Sequence, residues 1–123
     1  MKISRAESAI LEILWQADGP VPADHVVAAL GDQADWSPGT VRTFLTRLVK
    51  KKAAAAEPDG RRYLYRPLID RADYVHQESR GLIDRLFGGR IAPFVTQLSE
   101  REPLSREEID ELKRLIERLD RGS

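Results

Sequence analysis

The sequence predicts a mainly α-helical chain with a small β-hairpin, and three observations carry that expectation. Three short segments of helical period lie within about the first fifty residues. The period then switches to alternation around a tight turn in "AAAAEPDGRRYLYRPL". Beyond that stretch helical periodicity returns. Helix, helix, helix, two-stranded hairpin is the order of a winged helix-turn-helix, expected over residues 1–69.

The first helix opens with Ser4 and Glu7, an S-x-x-E capping box. It buries Ala6, Ile10, Leu11, Ile13 and Leu14, carries Trp15 near its end, and stops around Asp18-Gly19-Pro20. A shorter helix begins near Pro22, carries Val26, Val27 and Leu30, and is closed by Gly31. Ser37 caps the third, with Pro38 in its first turn and Val41, Phe44, Leu45, Leu48 and Val49 on one face. The hairpin is expected over Ala53 to Glu57 and Arg61 to Arg66, with Asp59-Gly60 at the tip. Four alanines make a poor strand and could instead extend the third helix by a turn.

The remainder reads as a helix from about Asp70 to Phe87, ending at Gly88-Gly89, then a short one near Pro93 to Leu98. A last helix is capped by Ser105, with Glu108 completing a second box. Their apolar residues are Tyr74, Val75, Leu82, Ile83, Leu86, Phe87, Phe94, Val95, Ile109, Leu112, Leu115, Ile116 and Leu119. That is more than about fifty residues can hide by themselves. Residues 70–123 are therefore expected to form a helical dimerisation region, covered by a second copy of the chain.

Formal charge is zero, with 20 cations against 20 acids. The balance is segregated by segment. Ser37 to Arg66 holds eight cations against two acids, while acids gather in "SEREPLSREEIDELKRLIERLD". The polar face of the third helix, with Arg42, Thr43, Thr46, Arg47 and Lys50, has no acid from Thr40 to Lys52. Arg61 and Arg62 sit where a wing would reach a phosphate backbone. A basic helix face with a basic wing is the electrostatic footprint of DNA binding.

Position divides the roles. Recognition helices meet base edges mainly from their N-terminal half, which favours Thr40, Arg42 and Thr43. Arg47, Lys50 and Lys51 fall where phosphates would be, and Ser37 could offer its hydroxyl or the free helix N–H groups to another.

Other chemistries are thinly supported. Without cysteine there is no disulfide, thiol nucleophile or thiolate metal site. No apolar run approaches the roughly 18 residues of a membrane span, and the first residues lack a signal-peptide core, so a soluble cytoplasmic protein is expected. Asp24 beside His25 is not a catalytic constellation, and His76 lies far along the chain. Acids of the last helix suit i, i+4 pairing with Lys113, Arg114 and Arg118 better than a metal. Neither an enzyme nor a metal or cofactor site is expected.

The runs "SRAESAILEILW", "DWSPGTVRTFLTRLVKK", "RRYLYRPL" and "LSREEIDELKRLI" together resemble the BlaI/MecI/CopY family of bacterial transcriptional repressors. The resemblance implies a homodimeric winged-helix repressor with a C-terminal dimerisation region, binding palindromic promoter DNA. Ser37, Pro38, Thr40, Arg42, Thr43 and Arg47 match the recognition-helix positions, and Arg61 and Arg62 the wing. Family members govern β-lactamase or penicillin-binding-protein genes, and in some branches copper transport through a cysteine-rich tail that this chain lacks. The β-lactam branch implies a regulatory protease that cuts in the dimerisation region. "RIAPFVTQLSE" lies about there but matches the cleavage motif poorly. Gly39 stands where relatives often have lysine, Lys52 where a glycine is usual, and Ala53 to Ala56 where a more β-prone strand is usual. The competing expectation is a winged-helix module whose basic face docks an acidic protein.

Overall fold

The computed structural model describes residues 2–122 (for Asp32, the backbone alone). Helix α1 (Arg5–Gln16) starts at a complete capping box, in which Ser4 Oγ accepts from the Glu7 N–H and Glu7 Oε1 from the Ser4 N–H. Strand β1 (Val21–Pro22) leads into α2 (Ala23–Leu30), and a 3₁₀ turn over Gly31–Gln33 precedes α3 (Pro38–Lys50). Strands β2 (Ala54–Asp59) and β3 (Arg62–Pro67) form the hairpin, followed by α4 (Arg71–Phe87), α5 (Ile91–Arg101) and α6 (Arg106–Gly122).

The expected fold class holds, with one addition: the sheet has three strands, ordered β1-β3-β2 and antiparallel. Strand β1 pairs Val21 with Tyr65 and Pro22 with Leu64. Two residues are too few to leave a periodic signal in sequence.

The alanine segment is a strand, not an extension of α3. The full ladder to β3, from Ala54 opposite Pro67 to Asp59 opposite Arg62, fixes it. Ala53 and Ala54 are buried against a core of Ile10, Leu11, Leu14, Val26, Leu30, Val41, Leu45 and Leu48. Pro58 sits on an edge strand, where a missing N–H costs no ladder bond.

Between α3 and β2 the chain makes a Schellman turn. The Ala53 N–H donates to Leu48 O (2.9 Å) and the Lys52 N–H to Val49 O (3.0 Å). This turn needs a left-handed residue, and Lys52 supplies it at φ +63°, the positive-φ position among the described residues that is not glycine.

Chain contacts divide into two compact units, Met1–Val75 and His76–Ser123, the boundary falling within α4. In the first unit the early part of α4 is fastened to α1. The Trp15 indole N–H donates to Ile69 O (2.9 Å), Tyr74 packs against the Trp15 ring, and Arg71 pairs with Glu12. In the second, Ile83 is buried and Phe87 meets Phe94 edge-on at 5.5 Å. Leu86, Ile91, Leu98, Ile116 and Leu119 remain exposed, and no residue of α5 or α6 is buried. No helix of the described residues is long and apolar enough to cross a membrane.

Candidate nucleic-acid interface

Buried Val41, Leu45 and Leu48 seat α3 on the core and turn its opposite face outward. At its start Ser37 Oγ accepts from the Thr40 N–H (3.2 Å) and lies 3.0 Å from Thr40 Oγ1. Pro38 supplies the pre-set first-turn dihedral. A Cβ on Gly39 would meet nothing nearer than Ser37 Oγ at 3.8 Å, so no packing demands glycine there.

The threonines are partly spent on their own helix. Thr43 Oγ1 donates to Gly39 O (3.0 Å) and Thr46 Oγ1 to Arg42 O (2.9 Å). What Thr43 has left to offer is a methyl group and two acceptor lone pairs. Arg47 lies over the Phe44 ring, 5.6 Å from its centroid, and Phe44 in turn packs against Trp36. Lys50 is exposed at the end of α3.

Lys51, expected at the phosphate backbone, is instead turned to α1. Its ammonium donates to Glu7 Oε1 and to Lys2 O (2.7 Å). Glu7 is 1% exposed. Burial acts to raise its pKa, but hydrogen bonds from Lys51 and Ser4 outweigh that and hold it below its ordinary value. Glu7 Oε2 has no hydrogen-bond partner among the described residues.

Wing cations differ in availability. Arg62 pairs with Asp59 (3.2 Å) and Arg66 with Glu57 (2.6 Å). Arg61, next to Gly60 at the tip, is exposed and has no acidic partner among the described residues. Between the first turn of α2, Arg42 of α3 and the wing opens a cleft of about 330 Å³, lined also by Asp24, Arg61, Arg62, Tyr63 and Tyr65. Asp24 Oδ1 lies 3.9 Å from Arg42 Nη2.

The fold thus brings Arg42, Arg61 and Arg62 to one cleft and aligns Thr43, Arg47 and Lys50 along the exposed side of α3. It also brings in Asp24, which sequence reasoning had weighed only as a neighbour of His25. Nothing in sequence marks that proximity, because it depends on how α2 crosses α3. No cluster of three or more potential metal ligands occurs among the described residues.

A family described as "Penicillinase repressor" matches residues 3–118. The penicillinase repressor of Bacillus licheniformis is 34% identical over 116 residues, 94% of this chain and 90% of that protein. The methicillin resistance regulatory protein MecI of Staphylococcus aureus is 31% identical over 115 residues, 94% and 93% of the two chains. Among solved structures, the DNA-binding domain of the repressor BlaI superposes with a TM-score of 0.53 at 36% identity, covering 59% of this chain and 88% of that one. Bacillus licheniformis BlaI in complex with the blaP half-operator gives 0.51 at 35% identity, covering 60% and 89%. With the match spanning nearly its whole length, the chain belongs to the penicillinase repressor family.

Proposed function

We propose that the chain is a homodimeric, sequence-specific transcriptional repressor that binds palindromic operator DNA. It acts by occupying DNA and not by catalysis. The observation that carries the reading is the acid-free outer face of α3 beside a wing-tip Arg61 that has no acidic partner among the described residues. Residues 1–69 form the DNA-binding part. Arg42 reads a base edge, Thr40 and Thr43 make close contacts in the major groove, and Ser37, Arg47, Lys50, Arg61 and Arg62 face phosphates, with Pro38 shaping the helix turn that meets the DNA. Lys51 braces α3 from behind.

Residues 70–123 join two copies through exposed apolar side chains of α4, α5 and α6, among them Leu82, Leu86, Leu115, Ile116 and Leu119. Two-fold symmetry then sets two α3 helices a whole number of DNA turns apart. A regulatory protease is a further proposed partner. Its cut in the 90–100 segment would require α5, a helix over Ile91–Arg101, to unwind locally first.

The test is titration of the full chain against a duplex enriched from a randomised pool and against a shuffled duplex, across a salt series. A preference for the enriched duplex is expected, with log Kd rising linearly in log salt. Equal binding to both, or tighter binding to acidic protein than to DNA, would favour the protein-docking alternative.

A further inference from the structure

Several arginines of the chain are held by acids. Arg62, Arg66, Arg71 and Arg80 each direct Nε at a carboxylate, which occupies a donor and offsets the charge. Arg47 is held by a ring, its guanidinium carbon 5.6 Å from the Phe44 centroid. An aromatic face attracts the cation without neutralising it, and offers its N–H donors no acceptor oxygen. The ring itself is fixed. Phe44 and Trp36 meet with centroids 5.1 Å apart, and both are partly buried against the core. At about 100° per residue, Arg47 stands between outward Thr43 and Lys50 on one side and Phe44 on the other. Leaning over Phe44 keeps it on the flank of α3, where a helix lying in a groove meets phosphates and not base edges. A side chain as long as arginine samples many rotamers. Affinity falls with the fraction of free chains that hold the rotamer DNA uses.

We infer that Phe44 is a positioning residue of the interface: backed by Trp36, its ring holds the Arg47 guanidinium ready for a phosphate before DNA arrives. The inference rests on the DNA-binding reading above and deepens it. A simpler role exists, since Phe44 also packs on the edge of the core. That role would be felt in folding and would not depend on Arg47.

The experiment titrates the full chain, Phe44→Leu, Phe44→Tyr, Arg47→Ala and the Phe44→Leu, Arg47→Ala double variant on the enriched and shuffled duplexes across a salt series. Thermal melting is measured alongside. Phe44→Leu keeps apolar bulk against Trp36 and loses the ring face. It should weaken binding to both duplexes by about two- to five-fold, the size of an exposed cation–π contact. The salt slope should stay unchanged, because no charge is removed. Phe44→Tyr, which restores a ring face, should recover most of that affinity. In the Arg47→Ala background, Phe44→Leu should weaken binding no further. A loss that persists without Arg47 would overturn the inference, assigning Phe44 to the core or to a DNA contact of its own. Tighter binding by Phe44→Leu would also overturn it, since the ring would then be holding Arg47 away from DNA. Should the unaltered chain bind neither duplex, the functional reading falls and takes this one with it. A chain that prefers the enriched duplex, with Phe44→Leu binding as tightly as the unaltered protein, defeats this inference alone.

Discussion

The Lys51 ammonium and the Glu7 carboxylate, 44 residues apart in sequence, meet at 2.5 Å with Glu7 almost wholly buried. The last cation-bearing turn of α3 is thereby pinned to the first turn of α1. Lys51→Ala should cost about 1–3 kcal/mol, because it strands a buried charged acceptor. It should leave the salt slope of DNA binding unchanged. Urea denaturation and a salt titration measure the two effects, and a shallower slope would return Lys51 to the phosphate backbone.

The same pair makes stability pH-dependent on the acid side. Glu7 titrates below its ordinary 4.5 when folded, so its contribution is complete above that value and is lost as pH falls through the depressed one. Wild-type stability should decline more steeply below about pH 4.5 than that of Glu7→Gln. Parallel curves would show that the carboxylate is not held ionised by its partners.

Lys52 holds a left-handed backbone at φ +63°, where a Cβ is strained. Lys52→Gly should stabilise the chain by about 0.5–1 kcal/mol, the relief being partly offset by the greater freedom of glycine when unfolded. A rise in the urea midpoint is the signature. A fall would mean that the lysine side chain contributes something the backbone geometry does not reveal.

The wing arginines should separate by their partners. Arg61→Ala should reduce the log–log salt slope by about 0.9, the loss of one phosphate contact. Arg62→Ala should reduce it less, because Asp59 already neutralises part of that charge. Arg42→Ala should weaken binding to the enriched duplex by about 1–3 kcal/mol and to the shuffled one little. Salt slopes for Arg61→Ala and Arg62→Ala that both equal that of the unaltered chain would remove the wing from the interface.

Leu119→Asp together with Ile116→Asp should make the full chain monomeric in sedimentation at micromolar concentration, since each exposed side chain contributes about 1.5–3 kcal/mol when buried. Truncation should be made after Val75, not Ile69. The shorter cut removes Arg71 and Tyr74, which hold α4 to α1, and would confuse unfolding with loss of the dimer. A truncated chain that still dimerises would move the interface into the winged helix.

Where sequence spoke clearly, local physics decides the structure. Ser4 with Glu7, Ser37 with Pro38, and the apolar period of α3 each specify an element within a few neighbouring residues. The alanine strand was ambiguous because its own side chains barely favour either state; pairing with β3 and burial decide it. The Arg42–Asp24 and Lys51–Glu7 pairs were illegible for a related reason. In sequence Glu7 is already accounted for as a capping residue, and Asp24 stands out only as a neighbour of His25. Only the packing of α1 and α2 around α3 makes them partners of its cations.

The chain's two tryptophans stand in different surroundings. Trp36 packs on Phe44, one turn from Arg47 on the outward side of α3, whereas Trp15 is hydrogen-bonded to Ile69 at the root of α4. The protein therefore carries its own pair of optical reporters. Emission from a Trp15→Phe variant would follow events at the DNA-facing helix. A Trp36→Phe variant would follow the attachment of α4 to α1, so ligand docking and release of the C-terminal segment could be timed separately without a label.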